Sequence, residues 1–460
     1  MSKPASILIA ICSLLLLCAC SGTKNLTKAQ LNMPSYFMPG LSTDSASIAD
    51  LSWWEFYSDS TLRVIMERTL ANNHDLLKAA AKVTEMRHML GIDKANLLPT
   101  IDGNVYASNE SNDYSGSGNV NDPEHGLKLQ IAWEMNLLGA LQKAKKRGTE
   151  RYVATVDDYR AMRMTLVAEV AEAYFSLLAL DNELDIVRQT MRTREESLRM
   201  AKLRFEGGLT SETVYQQAKV EYATASSLIP SLEQRITSAR NALTLLMGEY
   251  PDPYLKRGRF ALNDALPDSL KVGVPSSILQ RRPDLRASEH RLKAAMADVG
   301  VTYANRFPSF RINFTPGWEN NEFSNFFKSP FTYIIGAVAG PVFDFGRRKH
   351  RYQASIAAYD QARLDYEKTV MTAFTEVNTA MTAYQSVRQN RALKNDLLLA
   401  AAKYVQLAEV QYRGGTLNYL DVLDAQRRYF DAQIGVNAAI RDEFLSIINL
   451  YKALGGGWEI

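Results

Sequence analysis

Residues 75–99, DLLKAAAKVTEMRHMLGIDKANLLP, have an echo at residues 284–308, DLRASEHRLKAAMADVGVTYANRFP, and that echo decides the fold. Asp75-Leu76, Gly91, Ala95-Asn96 and Pro99 return 209 residues later as Asp284-Leu285, Gly300, Ala304-Asn305 and Pro308. Farther along, Gly139, Glu169-Val170, Ala173, Gly207-Gly208 and Ala218 return at a spacing of 207 residues. Their partners are Gly346, Glu376-Val377, Ala380, Gly414-Gly415 and Ala425. A spacing that shifts by only two residues, between Pro99 and Gly139, is the mark of an internal duplication.

Each copy opens with a helical stretch, Thr61 to Leu97 and Asp284 to Arg306. Each stretch stops before a proline, Pro99 or Pro308, which disfavours helix at the residue ahead of it. Two strands with alternating faces follow, about 101–109 and 127–134 in the first copy, 310–318 and 332–341 in the second. Polar loops, Ser111 to Glu124 and Glu319 to Ser329, join them. A run of eight to ten residues suits a tilted strand crossing a membrane.

A long helix comes next. Leu166, Val170, Ala173, Leu177, Leu180 and Leu184 begin a heptad seam that reaches Phe205 and is broken only by Arg194. The same register returns from Ala373 to Tyr412, broken by Arg391 and Lys394. A seven-residue repeat held this long implies left-handed supercoiling against neighbouring helices. From about Phe343 to Tyr412 such a helix would extend roughly 100 Å at about 1.5 Å per residue. Gly207-Gly208 and Gly414-Gly415 end the long helices at tight reversals. Returning helices follow, Ser211 to Met247 and Asn418 to Leu454, and Pro230 is expected to kink or interrupt the first.

Four strands cannot close a barrel, and an open sheet edge cannot face lipid. If these strands cross a membrane, several chains must share one barrel. Three chains would give twelve strands and a pseudo-sixfold arrangement.

The bulk properties agree with a folded chain that is not a bundle of membrane helices. Of 460 residues, 46% are hydrophobic and 22% charged, and the net charge of +3 gives no argument for a nucleic-acid partner. No segment after the first 20 residues reaches 18 consecutive apolar residues. The three cysteines, Cys12, Cys18 and Cys20, all lie at the start, so the remainder forms no disulfide. There Lys3 and the apolar run Ile7 to Cys18 read as a signal peptide. Leu17-Cys18-Ala19-Cys20 resembles a bacterial lipobox, which makes Cys20 the acylated residue. Ser21, rather than Asp, follows it and by resemblance favours the outer membrane. Acylation with two or three chains anchors a protein stably.

Several motifs then resemble one family. Trp53-Trp54-Glu55-Phe56-Tyr57-Ser58-Asp59 with Ala71-Asn72-Asn73-His74-Asp75-Leu76 resembles the opening of the outer-membrane efflux lipoproteins, the OprM/NodT branch of the TolC family. Gln280-Arg281-Arg282-Pro283-Asp284-Leu285-Arg286, Trp133-Glu134 with Gly139, and Pro341-Val342-Phe343-Asp344-Phe345-Gly346 are similar to that family too. So is Tyr412-Arg413-Gly414-Gly415-Thr416 with Tyr419-Leu420-Asp421-Val422-Leu423-Asp424-Ala425-Gln426. The resemblance spans nearly the whole mature chain. It implies a mainly α protein with a β-barrel portion: a homotrimeric channel-tunnel with four transmembrane strands and long coiled-coil helices per protomer. It also implies a Gram-negative outer-membrane exit duct of a tripartite pump, passively conducting small molecules such as drugs and toxic compounds. The partners it implies are a periplasmic adaptor and an inner-membrane transporter of the proton-driven RND type.

The segments expected on this basis are a signal peptide at 1–19, a lipid-anchored stretch at 20–60, a first repeat at 61–248, an equatorial linker at 249–275 and a second repeat at 276–460. By resemblance the two tips meet the adaptor through Gly207, Gly208, Leu209, Thr210 and Ser211, and through Gly414, Gly415, Thr416 and Leu417. Leu209 and Leu417 are apolar at exposed reversals, which has little structural reason. Asp421 and Asp424 lie three apart on one helix face. From the residues alone they complement a helix N-terminus; the motif match makes them a carboxylate ring that sets a gate and its selectivity at the tunnel mouth. The first copy has Val214 and Gln217 there. Leu417 and Val214 stand where some relatives carry polar ties between tips, so the resemblance supplies no latch.

Chemistry is not expected. The five histidines have no metal-ligand spacing, and no Walker-type loop or nucleophile elbow is present. Met162 and Met164 are read as helix packing rather than copper ligands. Neither an enzyme nor a cofactor is therefore expected. A protein-secretion duct shares the architecture and is the alternative within transport; a lipid-anchored scaffold without a pore is the alternative outside it.

Overall fold

The four strands form a single antiparallel sheet whose order follows the chain. In the computed structural model, residues 26–31, 33–34, 36–37, 47–112, 116, 120–136, 138–259, 272–340 and 343–458 are described. The expected signal peptide 1–19, the expected acylation site Cys20, most of the stretch up to Ser47, residues 260–271 of the expected linker, and Pro341 lie outside the described residues.

The first copy supplies α1 (Ser60–Asn72), α2 (His74–Ala95), β1 (Thr100–Asn112), β2 (Val120–Asn136), α3 (Ala140–Glu206) and α4 (Glu212–Leu246). The second supplies α5 (Pro283–Ala304), β3 (Ser309–Asn320), β4 (Pro330–Ala339), α6 (Arg347–Arg413) and α7 (Tyr419–Ala453). Two compact units result, one containing residues 82–156 and 286–369 and the other residues 157–285 and 370–460. Among the described residues no helix is long and apolar enough to cross a membrane.

The sheet belongs to the first unit. Ile131 of β2 pairs with Ile101 of β1 and Phe314 of β3, and Phe314 pairs with Ile334 of β4. Successive side chains on a strand point to opposite faces, so the register sorts every residue. Asp102, Glu110, Asp122, Glu124, Lys128, Glu134, Arg311 and Glu319 all fall on one face. Lys128 pairs there with Glu319 at 2.8 Å, and Arg311 with Glu134 at 3.1 Å. The opposite face carries Ile101, Val105, Leu127, Leu129, Ile131, Trp133, Phe310, Ile312, Phe314, Trp318, Ile334 and Val338, and no Asp, Glu, Lys or Arg. The strands run past the expected limits at both ends of the first hairpin, so its loop is shorter than Ser111 to Glu124.

The second unit is helical. Trp53, Leu62, Ile65, Met66, Leu166, Tyr174, Leu177, Leu243 and Met247 lie in one buried cluster. Met164 is buried as expected of a packing residue, whereas Met162 is exposed. The single helix expected from Thr61 to Leu97 is divided at Asn73. Asn73 is extended (φ −60°, ψ 121°), and its Oδ1 accepts from the Leu76 N–H at 2.9 Å, starting a new helix. Its Nδ2 donates to the Leu246 carbonyl at 2.8 Å, closing the end of α4. The second copy builds the same joint from a different side chain: Arg282 Nη1 donates to the Ala453 carbonyl at 3.2 Å. Asp284 binds the Arg282 guanidinium at 3.0 and 2.7 Å, and Glu376 meets it at 2.6 Å.

Two expected interruptions do not occur. α4 runs through Pro230. Pro230 is exposed in the single chain, and α4 stays continuous although proline leaves the Ser226 carbonyl without its helical donor. Arg194 does not break the seam either. It is 5% exposed, pairs with Glu221 at 2.7 Å, donates to the Glu221 carbonyl at 2.9 Å and lies 5.5 Å from the Phe430 ring centre. A paired and hydrogen-bonded guanidinium can stay in a helix interface that an unpaired one could not.

Candidate functional site

The two helical reversals of the second unit are built by the same hydrogen bonds. At the first, Gly208 N–H donates to Phe205 O at 2.9 Å and Leu209 N–H to Arg204 O at 2.8 Å. At the second, Gly415 N–H donates to Tyr412 O at 3.1 Å and Thr416 N–H to Gln411 O at 3.0 Å. Both are Schellman closures, and they require the left-handed backbone that Gly208 (φ 71°) and Gly415 (φ 76°) adopt. Ser211 and Asn418 then occupy the N-cap positions of α4 and α7.

The tips differ in what they present. Leu209 is 73% exposed. Leu417 is not the free apolar residue expected, because it packs against the small cluster of Ala408, Val422 and Ala425. Gly207, Gly414, Ser211 and Thr416 are exposed and Thr210 is half-buried.

The two hairpins meet close to these ends. Arg204 donates to the Tyr412 hydroxyl at 2.6 Å and lies 5.4 Å from the ring centre, and Tyr412 lies 5.3 Å from Tyr419. A cleft of about 310 Å³ opens beside them, lined by Met200, Ala201, Arg204, Val214, Tyr412 and Tyr419 among others. Arg204 to Tyr412 ties the two hairpins, joining residues whose separation of 208 positions hides the contact from any local pattern.

Asp421 and Asp424 share the first turns of α7 but not the same surroundings. Asp424 pairs with Arg427 at 2.5 Å and Arg428 at 2.8 Å. Arg428 first, and Arg427 with it, holds the Asp424 carboxyl below the usual range. No side-chain hydrogen bond or ion pair forms on Asp421 among the described residues. The partners of Asp424 were readable, since residues three and four positions on share its helix face. Among the described residues no group of His, Cys, Asp or Glu is arranged to hold a metal.

Two glycine-closed hairpins, a duplicated long helix and a sheet with one charge-free face give the chain the parts of a duct. The description "Outer membrane efflux protein" matches residues 65–249 and again 274–456, one match per copy. The chain belongs to that family. The toluene efflux pump outer membrane protein TtgF of Pseudomonas putida is 31% identical over 419 residues, covering 89% of this chain and 86% of its own. The cation efflux system protein CusC of Escherichia coli is 28% identical over 461 residues, covering 98% of this chain and 99% of its own. The open-state Neisseria gonorrhoeae MtrE outer membrane channel superposes with a TM-score of 0.83 at 26% identity, covering 95% of this chain and 98% of that one. This member of the outer membrane efflux family is thus mainly helical with a barrel-forming sheet. It is an outer-membrane component of an efflux pump in a Gram-negative envelope, and it extends into the periplasm. Efflux, rather than protein secretion or a poreless scaffold, is the function its relatives share.

Proposed function

We propose that three copies close into one twelve-stranded barrel continued by a helical tunnel, through which small molecules leave the periplasm without chemistry by the protein itself. The observation that carries this reading is the sheet. Its uncharged face suits lipid, yet β1 and β4 each leave an open edge, and such an edge is untenable in hydrocarbon unless another chain pairs with it. The helices support it. Leu178 and Ala179 of α3 are buried, while their counterparts on α6, Gln385 and Ser386, are exposed and await a neighbour.

In this assembly Cys20 carries the acyl chains that join the barrel in holding the protein to the outer membrane. Gly207, Gly208, Leu209, Thr210 and Ser211, with Gly414, Gly415, Thr416 and Leu417, meet a periplasmic adaptor. An inner-membrane transporter of the proton-driven RND type supplies the energy. Asp421 and Asp424 converge at the periplasmic mouth as a gate. Asp421 supplies its uncompensated charge, and Asp424 orders Arg427 and Arg428 around it. Relatives named for toluene and for cations point to small solutes as cargo. The test is the mass of the detergent-extracted protein together with its behaviour in a planar bilayer. A trimer that conducts ions is expected; a monodisperse dimer without conductance would sink the reading.

A further inference from the structure

The connection between β3 and β4 is more apolar than a loop in water needs to be. Residues Phe323–Lys328, FSNFFK, form a 3-10 helix. Its pose is fixed by polar contacts on both sides. Asn321 Nδ2 donates to the Asp122 carboxylate at 3.0 Å, and Asn320 Nδ2 to Ser329 Oγ at 2.6 Å. Asn325 Nδ2 donates to the Glu322 carboxylate at 2.6 Å, and Lys328 Nζ to Asn325 Oδ1 at 3.1 Å. In this fixed turn Phe323 is 78% and Phe327 72% exposed.

The rings have a definite side. Phe323 meets His125 edge-on at 5.6 Å, and Phe327 meets Trp318 edge-on at 6.0 Å. His125 pairs with Asn320 and Leu127 with Trp318, which puts His125 and Trp318 on the face that carries no Asp, Glu, Lys or Arg. Lys128 and Glu319, by contrast, pair with each other on the other face. The 3-10 helix therefore folds back over the apolar face and extends its band of side chains. Both hairpin connections lie at the end of the sheet away from the four helix junctions, which is the outer end of a protein whose helices extend into the periplasm. Aromatic rings at the rim of an apolar band, with polar and basic neighbours, match the boundary between acyl chains and headgroups.

We propose that Phe323–Lys328 is an interfacial anchor. The rings of Phe323 and Phe327 enter the acyl boundary of the outer leaflet, and Lys328 stays at headgroup level beside them. The partner is a lipid surface, continuous with the lipid-facing side of the sheet. One consequence is that this connection does not cover the mouth of the barrel, because its apolar residues are committed to the outside of the wall. The proposal rests on the sheet being the membrane-spanning part of the chain.

Nitroxide labels test it in full-length protein reconstituted in phosphatidylethanolamine–phosphatidylglycerol vesicles, with signal from the native cysteines measured on labelled wild type. Phe323→Cys and Phe327→Cys carry the test labels. Ile334→Cys marks the lipid-facing middle of β4, and Thr315→Cys the charged face. Labels at 323 and 327 are expected to collide with oxygen in preference to a water-soluble nickel chelate, as at 334, with a ratio several-fold above that at 315. If 334 reads as lipid while 323 and 327 read as water, the anchor is overturned and the membrane sheet stands. If 334 also reads as water, the membrane reading of the sheet itself fails.

Discussion

Asp424 carries a charge that its own helix has already answered. Arg428 and Arg427 hold its carboxyl below the usual range, whereas Asp421 has no such pair. A lowered folded value means that the stability from pairing is complete above the ordinary aspartate value near 3.9, and is lost only as pH falls through the lowered one. Wild type and Asp424→Asn should therefore differ in their current–voltage relation by a constant amount from about pH 7 to about pH 5, a window well above that value. Convergence of the two inside that window would show that Asp424 titrates above the ordinary aspartate range, which would overturn the hold of its arginines. The site was legible at this scale wherever a local rule applied. Left-handed turns need Gly208 and Gly415, and an i, i+3 spacing puts Asp421 beside Asp424. The Arg204–Tyr412 tie and the half-burial of Leu417 depend on how helices pack, and no local spacing encodes that.

The two copies solve one packing problem in two ways. In the first, Leu184 of α3 and Ile236 of α4 are both buried in the apolar cluster. In the second, the equivalent residues are Arg391 of α6 and Glu443 of α7, an ion pair in which Glu443 is 4% exposed and Arg388 lies 3.9 Å from its other oxygen. A buried pair broken on one side strands a charge, at a cost of about 3–5 kcal/mol, while replacement of both partners by apolar residues is often neutral or stabilising. Glu443→Ile alone should therefore lower the thermal midpoint of the extracted protein clearly, and Arg391→Leu with Glu443→Ile should restore it. A double variant no more stable than the single one would mean that the pair has a function the apolar copy lacks. The same comparison explains what the sequence told and withheld about the elements. Heptads, glycines and alternating strands set the length and order of the helices and the sheet, because those patterns are local. Arg194 and Arg391 looked like faults in a seam because their answering groups, Glu221 and Glu443, lie on another helix. Pro230 looked like a break by the local rule, yet α4 runs on through it.

In the proposed ring, Pro230 would mark where the next protomer sits. Its counterpart in the second copy is Asn437, which is buried, donates through Nδ2 to the Ala179 carbonyl at 2.9 Å and accepts from Asn182 Nδ2 at 2.8 Å. So α7 of the second copy packs on α3 of the first within one chain. If the copies alternate around a pseudo-sixfold ring, the same contact must recur between chains, with α4 of one protomer on α6 of the next. Residue 437 becomes 230, and residues 179 and 182 become 386 and 389. Ser386 and Gln389 are exposed in the single chain, as that geometry requires. A disulfide forms where Cα atoms come within about 4.4–6.8 Å, so cysteines report this contact directly. Oxidation of Pro230→Cys with Ser386→Cys should link protomers into covalent dimers and trimers on a denaturing gel, whereas Ala179→Cys with Asn437→Cys should close within one chain and leave monomers. Should the second pair close and the first stay open, the ring would have to be built on a different rotation, and the two halves of the duplicated chain would not be equivalent partners in it.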